Sequence, residues 1–119
     1  MPAEDSRLMV QKDTDVTVVQ FLDHNILDEA NIQQIGEELA GIVEKAAVPK
    51  LLLDFHNVAH LSSAALGTLI TVNNKIRQKD GQLRLANIHP QIREVFSITK
   101  LDKLFQIHAT APKALASFK

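Results

Sequence analysis

Hydrophobic and polar residues follow two different periods along the chain, and these periods predict where strands and helices lie. Residues 15–22 are β-branched and apolar, and residues 82–87 alternate between apolar and polar side chains, as strands do. The unbroken apolar run "KLLLDF" is typical of a strand that is covered on both faces. The predicted strands span 7–12, 15–22, 50–55 and 82–87, and a short one ends the segment 101–107.

Between these strands the apolar residues recur every three or four positions, which predicts amphipathic helices. Asp28 and Thr110 are predicted N-caps, and Pro49 ends the first helix because proline disfavours helix in the preceding residue. Gly81 is expected to occupy the left-handed position after the second helix. The predicted helices span 29–47, 63–79 and 90–99, with a short fourth one after residue 110.

The order β-β-α-β-α-β-α-β-α predicts an α/β fold with a mixed sheet of about five strands. The central strand–helix–strand units imply parallel strands joined by right-handed crossovers, and the dipeptide at 14–15 predicts a hairpin between the first two strands. A chain of 119 residues is long enough to bury one hydrophobic core, so residues 1–119 are expected to form a single domain.

The composition excludes several classes of function but does not identify one. The chain has 45% hydrophobic residues, a formal charge of −1 and no cysteine, so it offers neither a basic surface for nucleic acid nor thiolate ligands for a metal. No segment approaches the ~18 consecutive apolar residues of a membrane span, and the N-terminus lacks the apolar core of a secretory signal. We therefore expect a cytoplasmic protein without membrane insertion, metal or cofactor.

The stretch "AHLSSAALGTLI" (59–70) places two serines at the start of the second predicted helix. One serine suffices as N-cap, and Ser62 is predicted to be that residue. Ser63 then falls in the exposed first turn, where a phosphate would suit the positive end of the helix dipole. A partner docked there would meet new bulk and charge. The small side chains of Ala64 and Ala65 are expected to leave the helix mouth flat and accessible.

Catalytic alternatives have weaker support in the same region. A serine nucleophile with His56 or His60 and Asp54 is conceivable, but the glycine elbow G-x-S-x-G is missing and these residue types lie within ten positions of each other. Two histidines at this spacing bind a metal when both lie on one face of a helix, but here they lie in a predicted loop. We therefore expect a binding module without catalytic residues, metal or small-molecule substrate.

Several segments resemble the STAS domain, named for sulfate transporters and anti-sigma factor antagonists. They include "LG" at 66–67, "DGQLRLAN" at 80–87 and "VFSITKLDKLFQI" at 95–107, in the family's order and spacing. The resemblance implies a mixed sheet with helices packed chiefly on one face. It also implies a stand-alone anti-sigma factor antagonist, which binds an anti-sigma factor with serine kinase activity, is phosphorylated by it, and is reset by a serine phosphatase.

In the family's switch motif, D-S-S-G-L-G or D-S-T-G-L-G, the phosphate is carried by the residue after Asp. The register set by Leu66 places Ser63 at the phosphorylated position and Ser62 at the position of the Asp. Ala64 stands at the second Ser/Thr position, and Ala65 replaces the Gly and is expected to add a methyl group to the docking face. The residues expected to bind the partner are Asp28, Ser62, Ser63, Ala64, Ala65 and Leu66, with Asp23 a weaker match than Asp28.

The same family also suggests a different role. Small STAS proteins resemble cytoplasmic accessory subunits of membrane transporters, such as ABC-type lipid transporters. In that role the chain would stabilise a permease or ATPase and would need no phosphate on Ser63.

Overall fold

A computed structural model of the chain describes residues 7–118, which form a central five-stranded sheet, a separate pair of very short strands and four α-helices. The strands of the central sheet are β1 (Leu8–Asp13), β2 (Val16–Phe21), β4 (Lys50–Asp54), β6 (Gln82–Ala86) and β7 (Gln106–His108). The short strands are β3 (Asn25–Ile26) and β5 (His60–Leu61). The helices are α1 (Glu29–Lys45), α2 (Ser63–Gln78), α3 (Pro90–Ile98) and α4 (Ala111–Ala116).

The central sheet is mixed, as the order of elements predicts. β1 and β2 form an antiparallel hairpin, and β2, β4, β6 and β7 are parallel to their neighbours in the order β1-β2-β4-β6-β7. The last strand begins only at Gln106, because Leu101–Lys103 form a 3-10 turn before it. The prediction of a five-stranded mixed sheet is confirmed.

Three helices cover one face of this sheet and one short helix covers the other. The main core joins α1, α2 and α3 to the inward side chains of the strands, including Leu51 and Leu53 of β4. Leu52 points to the opposite face, where it packs with Val16 and with Ala114 of α4. The helices therefore lie chiefly on one face, and the unbroken leucine run is nevertheless buried on both sides.

The end of α2 differs from the prediction made for Gly81. No glycine among residues 7–118 has a positive φ; Asp80 takes the left-handed conformation instead, with φ 58°. Glycine is needed at 81 for space, since an added Cβ would overlap the carbonyl oxygen of Pro49 and lie 2.8 Å from its Cγ. The carbonyl of Pro49 also accepts the Gln82 N–H at 2.8 Å, which holds it against Gly81.

The segments 23–28 and 56–61 were predicted as loops, but each contains one of the short strands. β3 and β5 pair in parallel, with Asn25 opposite His60 and Ile26 opposite Leu61. Two-residue strands carry no periodicity that a sequence pattern would reveal. None of the helices within residues 7–118 combines the length and the apolar character needed to cross a bilayer.

Candidate functional site

Ser62 caps α2, as predicted. Its backbone is extended, with φ −81° and ψ 165°, and its Oγ accepts a hydrogen bond of 3.2 Å from the N–H of Ala65. This bond satisfies one of the N–H groups that a helix start leaves without an intrahelical partner. The Ser62 hydroxyl is therefore engaged in holding the helix start in place.

Ser63 is the first residue of α2, and its side chain is exposed. Its hydroxyl makes no hydrogen bond to any residue between 7 and 118. No charged residue lies in the first turn of α2 to neutralise the positive end of the helix dipole. The hydroxyl is thus accessible and has no structural contact to give up.

Asp28 lies beside this helix start because of the short strand pair. It is the N-cap of α1, where its Oδ1 accepts the N–H of Ala30 at 2.8 Å, and it is exposed. Two residues earlier, the carbonyl of Ile26 accepts the N–H of Ser62 at 3.1 Å. The chain entering α1 is therefore bonded directly to the chain entering α2. The two helices pack on each other and start at the same end of the molecule.

Two of the predicted docking residues do not lie on the surface. Ala65 and Leu66 are only 4% and 6% exposed and belong to the main hydrophobic core. Each helical residue is rotated by about 100° from the one before, so the exposed residues Ser63, Ala64 and Gly67 share one side of α2, and Ala65 and Leu66 fall on the other side. The prediction that the Ala65 methyl group shapes the docking face is therefore wrong. Asp28, Ser63 and Ala64 remain exposed, and Ser62 is half-buried.

Asp23, the weaker match, takes part in a different contact. It is half-buried, and its Oδ1 lies 3.4 Å from Nη1 of Arg7, so it joins the loop after β2 to the start of β1. Of the two loop aspartates, Asp28 is the one that lies beside the α2 start.

An apolar groove beside β5, which ends two residues before Ser63, was not predicted. It has a volume of about 320 Å³ and runs between β5 and α3. Leu27 and Val95 line it and are 55% and 37% exposed, which is high for large apolar side chains. Val95 shares its helical spacing with the buried Ile92 and Phe96, but it lies on the outer side of α3. Leu27 follows Ile26 in a pair of apolar residues before the cap, which is a weak signal in the sequence.

The polar residues that suggested catalysis form a structural network. Oδ1 of Asp54 accepts the backbone N–H of His56 at 3.0 Å and the Asn87 amide at 3.0 Å, and it lies 3.3 Å from Nδ1 of the His56 ring. The Ser62 hydroxyl bonds to a backbone amide and not to an imidazole. Within residues 7–118, no three His, Asp or Glu side chains group as metal ligands. The network ties the loop after β4 to the end of β6.

Comparison with known proteins gives a consistent assignment. A family model described as the STAS domain matches residues 7–114. BtrV of Bordetella bronchiseptica is 33% identical to this chain over 94 residues, which cover 79% of this chain and 80% of BtrV. Its name describes it as a proposed anti-sigma factor antagonist.

Solved structures agree with this match at the level of the fold. An anti-sigma-factor antagonist (STAS) domain protein from Planctomyces limnophilus superposes with a TM-score of 0.82 at 24% identity, covering 92% of this chain and 95% of that one. The Bacillus cell fate determinant SpoIIAA in its phosphorylated form superposes with a TM-score of 0.70 at 19% identity, covering 92% and 96% of the two chains.

Proposed function

The chain belongs to the STAS family, and from this we propose that it acts as an anti-sigma factor antagonist whose partner binding is controlled by phosphorylation of Ser63. The observation that carries the proposal is the position of Ser63. Its side chain is exposed in the first turn of α2, next to the N-terminus of α1, and its hydroxyl has no hydrogen bond within residues 7–118. The chain acts by binding in this proposal and catalyses no reaction.

A phosphate at this position should change the surface more than the fold. It would add about 1.5 to 2 negative charges beside helix N–H groups that have no intrahelical partner. The helix dipole favours negative charge at this end, by roughly 0.3–1 kcal/mol for an exposed group. Ser62 supplies the cap independently, so α2 would keep its start whether or not Ser63 is modified.

The proposed docking surface joins Ser63 to the exposed residues around it. Asp28 and Ala64 are the exposed members of the predicted set, and Leu27 and Val95 of the apolar groove extend it towards α3. A partner that buries this surface would have to desolvate a phosphate on Ser63, which is costly without a matching positive charge. Phosphorylation should therefore release the partner.

The proposed partners are an anti-sigma factor with serine kinase activity and a serine phosphatase that restores the free hydroxyl. The resemblance to the STAS antagonists and to BtrV supports this pathway. We place the pathway in the cytoplasm as part of the same proposal. The alternative role, a non-phosphorylated accessory subunit of an ABC-type lipid transporter, stays a prediction that the same experiment addresses.

The test uses the full chain and the anti-sigma factor kinases encoded in the genome that encodes it. With ATP, one of them should add a single phosphate that peptide mapping places on Ser63, and Ser63→Ala should prevent it. Ser97→Ala, which removes another exposed helical serine, is the matched control and should change nothing. Ser63→Asp should weaken kinase binding at least about tenfold while thermal unfolding stays close to that of the unmodified chain.

Two results would contradict the proposal. One is the absence of phosphate from Ser63 with every kinase tested, together with unchanged binding by Ser63→Asp. The other is stable association with a permease or transport ATPase that is indifferent to both Ser63 variants, which would favour the accessory-subunit role.

A further inference from the structure

The first strand of the central sheet, β1, forms a long open edge. It lies at one end of the order β1-β2-β4-β6-β7, and within residues 7–118 no strand pairs with its outer side. Five of its six residues are exposed. The opposite edge strand, β7, has only three residues and packs against α4. β1 is therefore the edge at which this sheet can accept another strand.

The hydrogen bonds between β1 and β2 show which backbone groups of β1 point outwards. The Arg7 carbonyl accepts the Leu22 N–H at 3.1 Å, and successive residues of an antiparallel strand point their backbone groups in alternate directions. Met9 therefore faces β2 as Arg7 does, whereas the N–H and C=O groups of Val10 and Lys12 point away from it. Within residues 7–118 these outward groups have no hydrogen-bond partner.

The same edge carries an exposed apolar side chain on each face of the sheet. Met9 and Val10 are 45% and 48% exposed, and their side chains point to opposite faces because they are neighbours in a strand. Val10 shares its face with the buried Leu8 and the main core, and Met9 lies on the face of α4. A partner on one face of the sheet would leave the other side chain exposed. A strand added at the edge would contact both.

The charges of β1 make the strand complementary to a second copy of itself. In an antiparallel pair centred on Val10, the outward backbone groups of Val10 meet those of Val10 in the second copy. The same register places Arg7 opposite Asp13 of the second copy, and two-fold symmetry repeats this pair on the other side of the axis. A pair centred on Lys12 would instead bring two lysines together, which is unfavourable.

Both charged side chains are accessible for such a contact. Asp13 is exposed and forms no ion pair within the described part of the chain. The Arg7 side chain is 38% exposed, and its one ion pair in that part of the chain joins Nη1 to Oδ1 of Asp23 at 3.4 Å. A guanidinium has five N–H groups, so Arg7 can keep this contact and donate to a second carboxylate.

We propose that two copies of the chain form a dimer by antiparallel pairing of their β1 strands about a two-fold axis at Val10. The pairing joins the two five-stranded sheets into one continuous sheet. It covers Val10 with its own copy on one face and brings the two Met9 side chains together diagonally on the other. A single pair of strands buries a small area, so the dimer should dissociate reversibly on dilution. The interface does not include Ser63, so it stands or falls apart from the proposed function.

Sedimentation velocity of the full chain tests this between about 1 µM and about 1 mM, where a small interface is expected to dissociate. We expect a reversible equilibrium between monomer and dimer. Val10→Lys places two ammonium groups opposite each other at the axis and should raise the Kd at least about tenfold. Ile98→Lys makes the same kind of change on α3, where the side chain is 73% exposed, and should dimerise like the unmodified chain. Thermal unfolding followed by circular dichroism checks that both variants keep the fold.

Charge reversal tests the register of the pairing. Asp13→Arg places two arginines opposite each other and Arg7→Glu places two carboxylates opposite each other, so each variant alone should dimerise more weakly. In an equimolar mixture, one chain of each kind brings opposite charges together at both positions, and the dimer should return. The proposal is overturned if the unmodified chain stays monomeric throughout, if Val10→Lys dimerises as well as Ile98→Lys, or if mixing the two charge variants restores no dimer.

Discussion

Replacing each of the two adjacent serines by alanine should separate their roles in stability. Ser62→Ala removes the Oγ that accepts the Ala65 N–H at 3.2 Å, and water can replace this bond only in part because Ala65 is 4% exposed. Loss of a serine N-cap costs about 1 kcal/mol, within a range of 0.5–2 kcal/mol. For a domain of this size that corresponds to a decrease in Tm of roughly 3–5 °C.

Ser63→Ala should behave differently although it lies one residue away. The Ser63 hydroxyl makes no hydrogen bond within residues 7–118, and its side chain is exposed. Alanine is the better helix former at this position, so the free energy of unfolding should stay the same or rise by a few tenths of a kcal/mol. The two variants should therefore differ by about 1 kcal/mol or slightly more.

Urea unfolding followed by far-UV circular dichroism measures this difference. Circular dichroism is the appropriate signal because the chain contains neither Trp nor Tyr for fluorescence. Ser62→Asp is the rescue variant, since aspartate caps helices as well as serine does and its charge suits the dipole. Equal destabilisation by Ser62→Ala and Ser63→Ala, or failure of Ser62→Asp to restore stability, would refute the assignment of the cap to Ser62.

Two further predictions concern packing and pH. Gly81→Ala should lower the free energy of unfolding by about 1–3 kcal/mol because its Cβ would overlap Pro49, whereas Gly67→Ala has open space and should be neutral or stabilising by up to about 1 kcal/mol; similar urea midpoints for the two would contradict this. The Lys50 ammonium lies 2.8 Å from Oδ2 of Asp15 and, mainly through this hydrogen bond, holds the pKa of that carboxyl below its ordinary 3.8. The pair therefore stabilises the folded state fully above pH 3.8, and this stabilisation is lost as the pH falls through the lowered pKa of Asp15. Lys50→Met should return the pKa of Asp15 towards 3.8 in an NMR titration, and an unchanged value would show that Lys50 is not the cause.

Local patterns were sufficient to predict the helices, the strands of the main sheet and the start of each capped helix. The side chains of Asp28, Ser62 and Thr110 each accept a backbone N–H group as N-caps. An N-cap depends on only three or four consecutive residues, and for that reason it can be predicted from the sequence. The antiparallel hairpin and the parallel order of the following strands also follow from element order and connection length.

The position of each helix end relative to the others required the tertiary structure. Asp28 and Ser63 come together because two-residue strands pair across 35 residues of chain, and such short strands have no period to detect. Ala65 and Leu66 face the core because packing of α2 on the sheet sets the rotation of the helix. The left-handed conformation is taken by Asp80 and not by Gly81. Glycine is needed at 81 because of the close contact with Pro49, which lies far away in the sequence.

The surroundings of Arg84 show the same division between sequence and structure. Arg84 and Ser117 lie 33 positions apart with no pattern that relates them, yet in the fold Nε of Arg84 donates to Ser117 Oγ at 2.9 Å. By itself, the sequence determined which segments form helices and strands, because hydrogen bonding and burial within a segment depend on its own residues. Only the folded sheet decided which side chains from different segments share a surface or a cavity, because those contacts depend on packing across the whole chain.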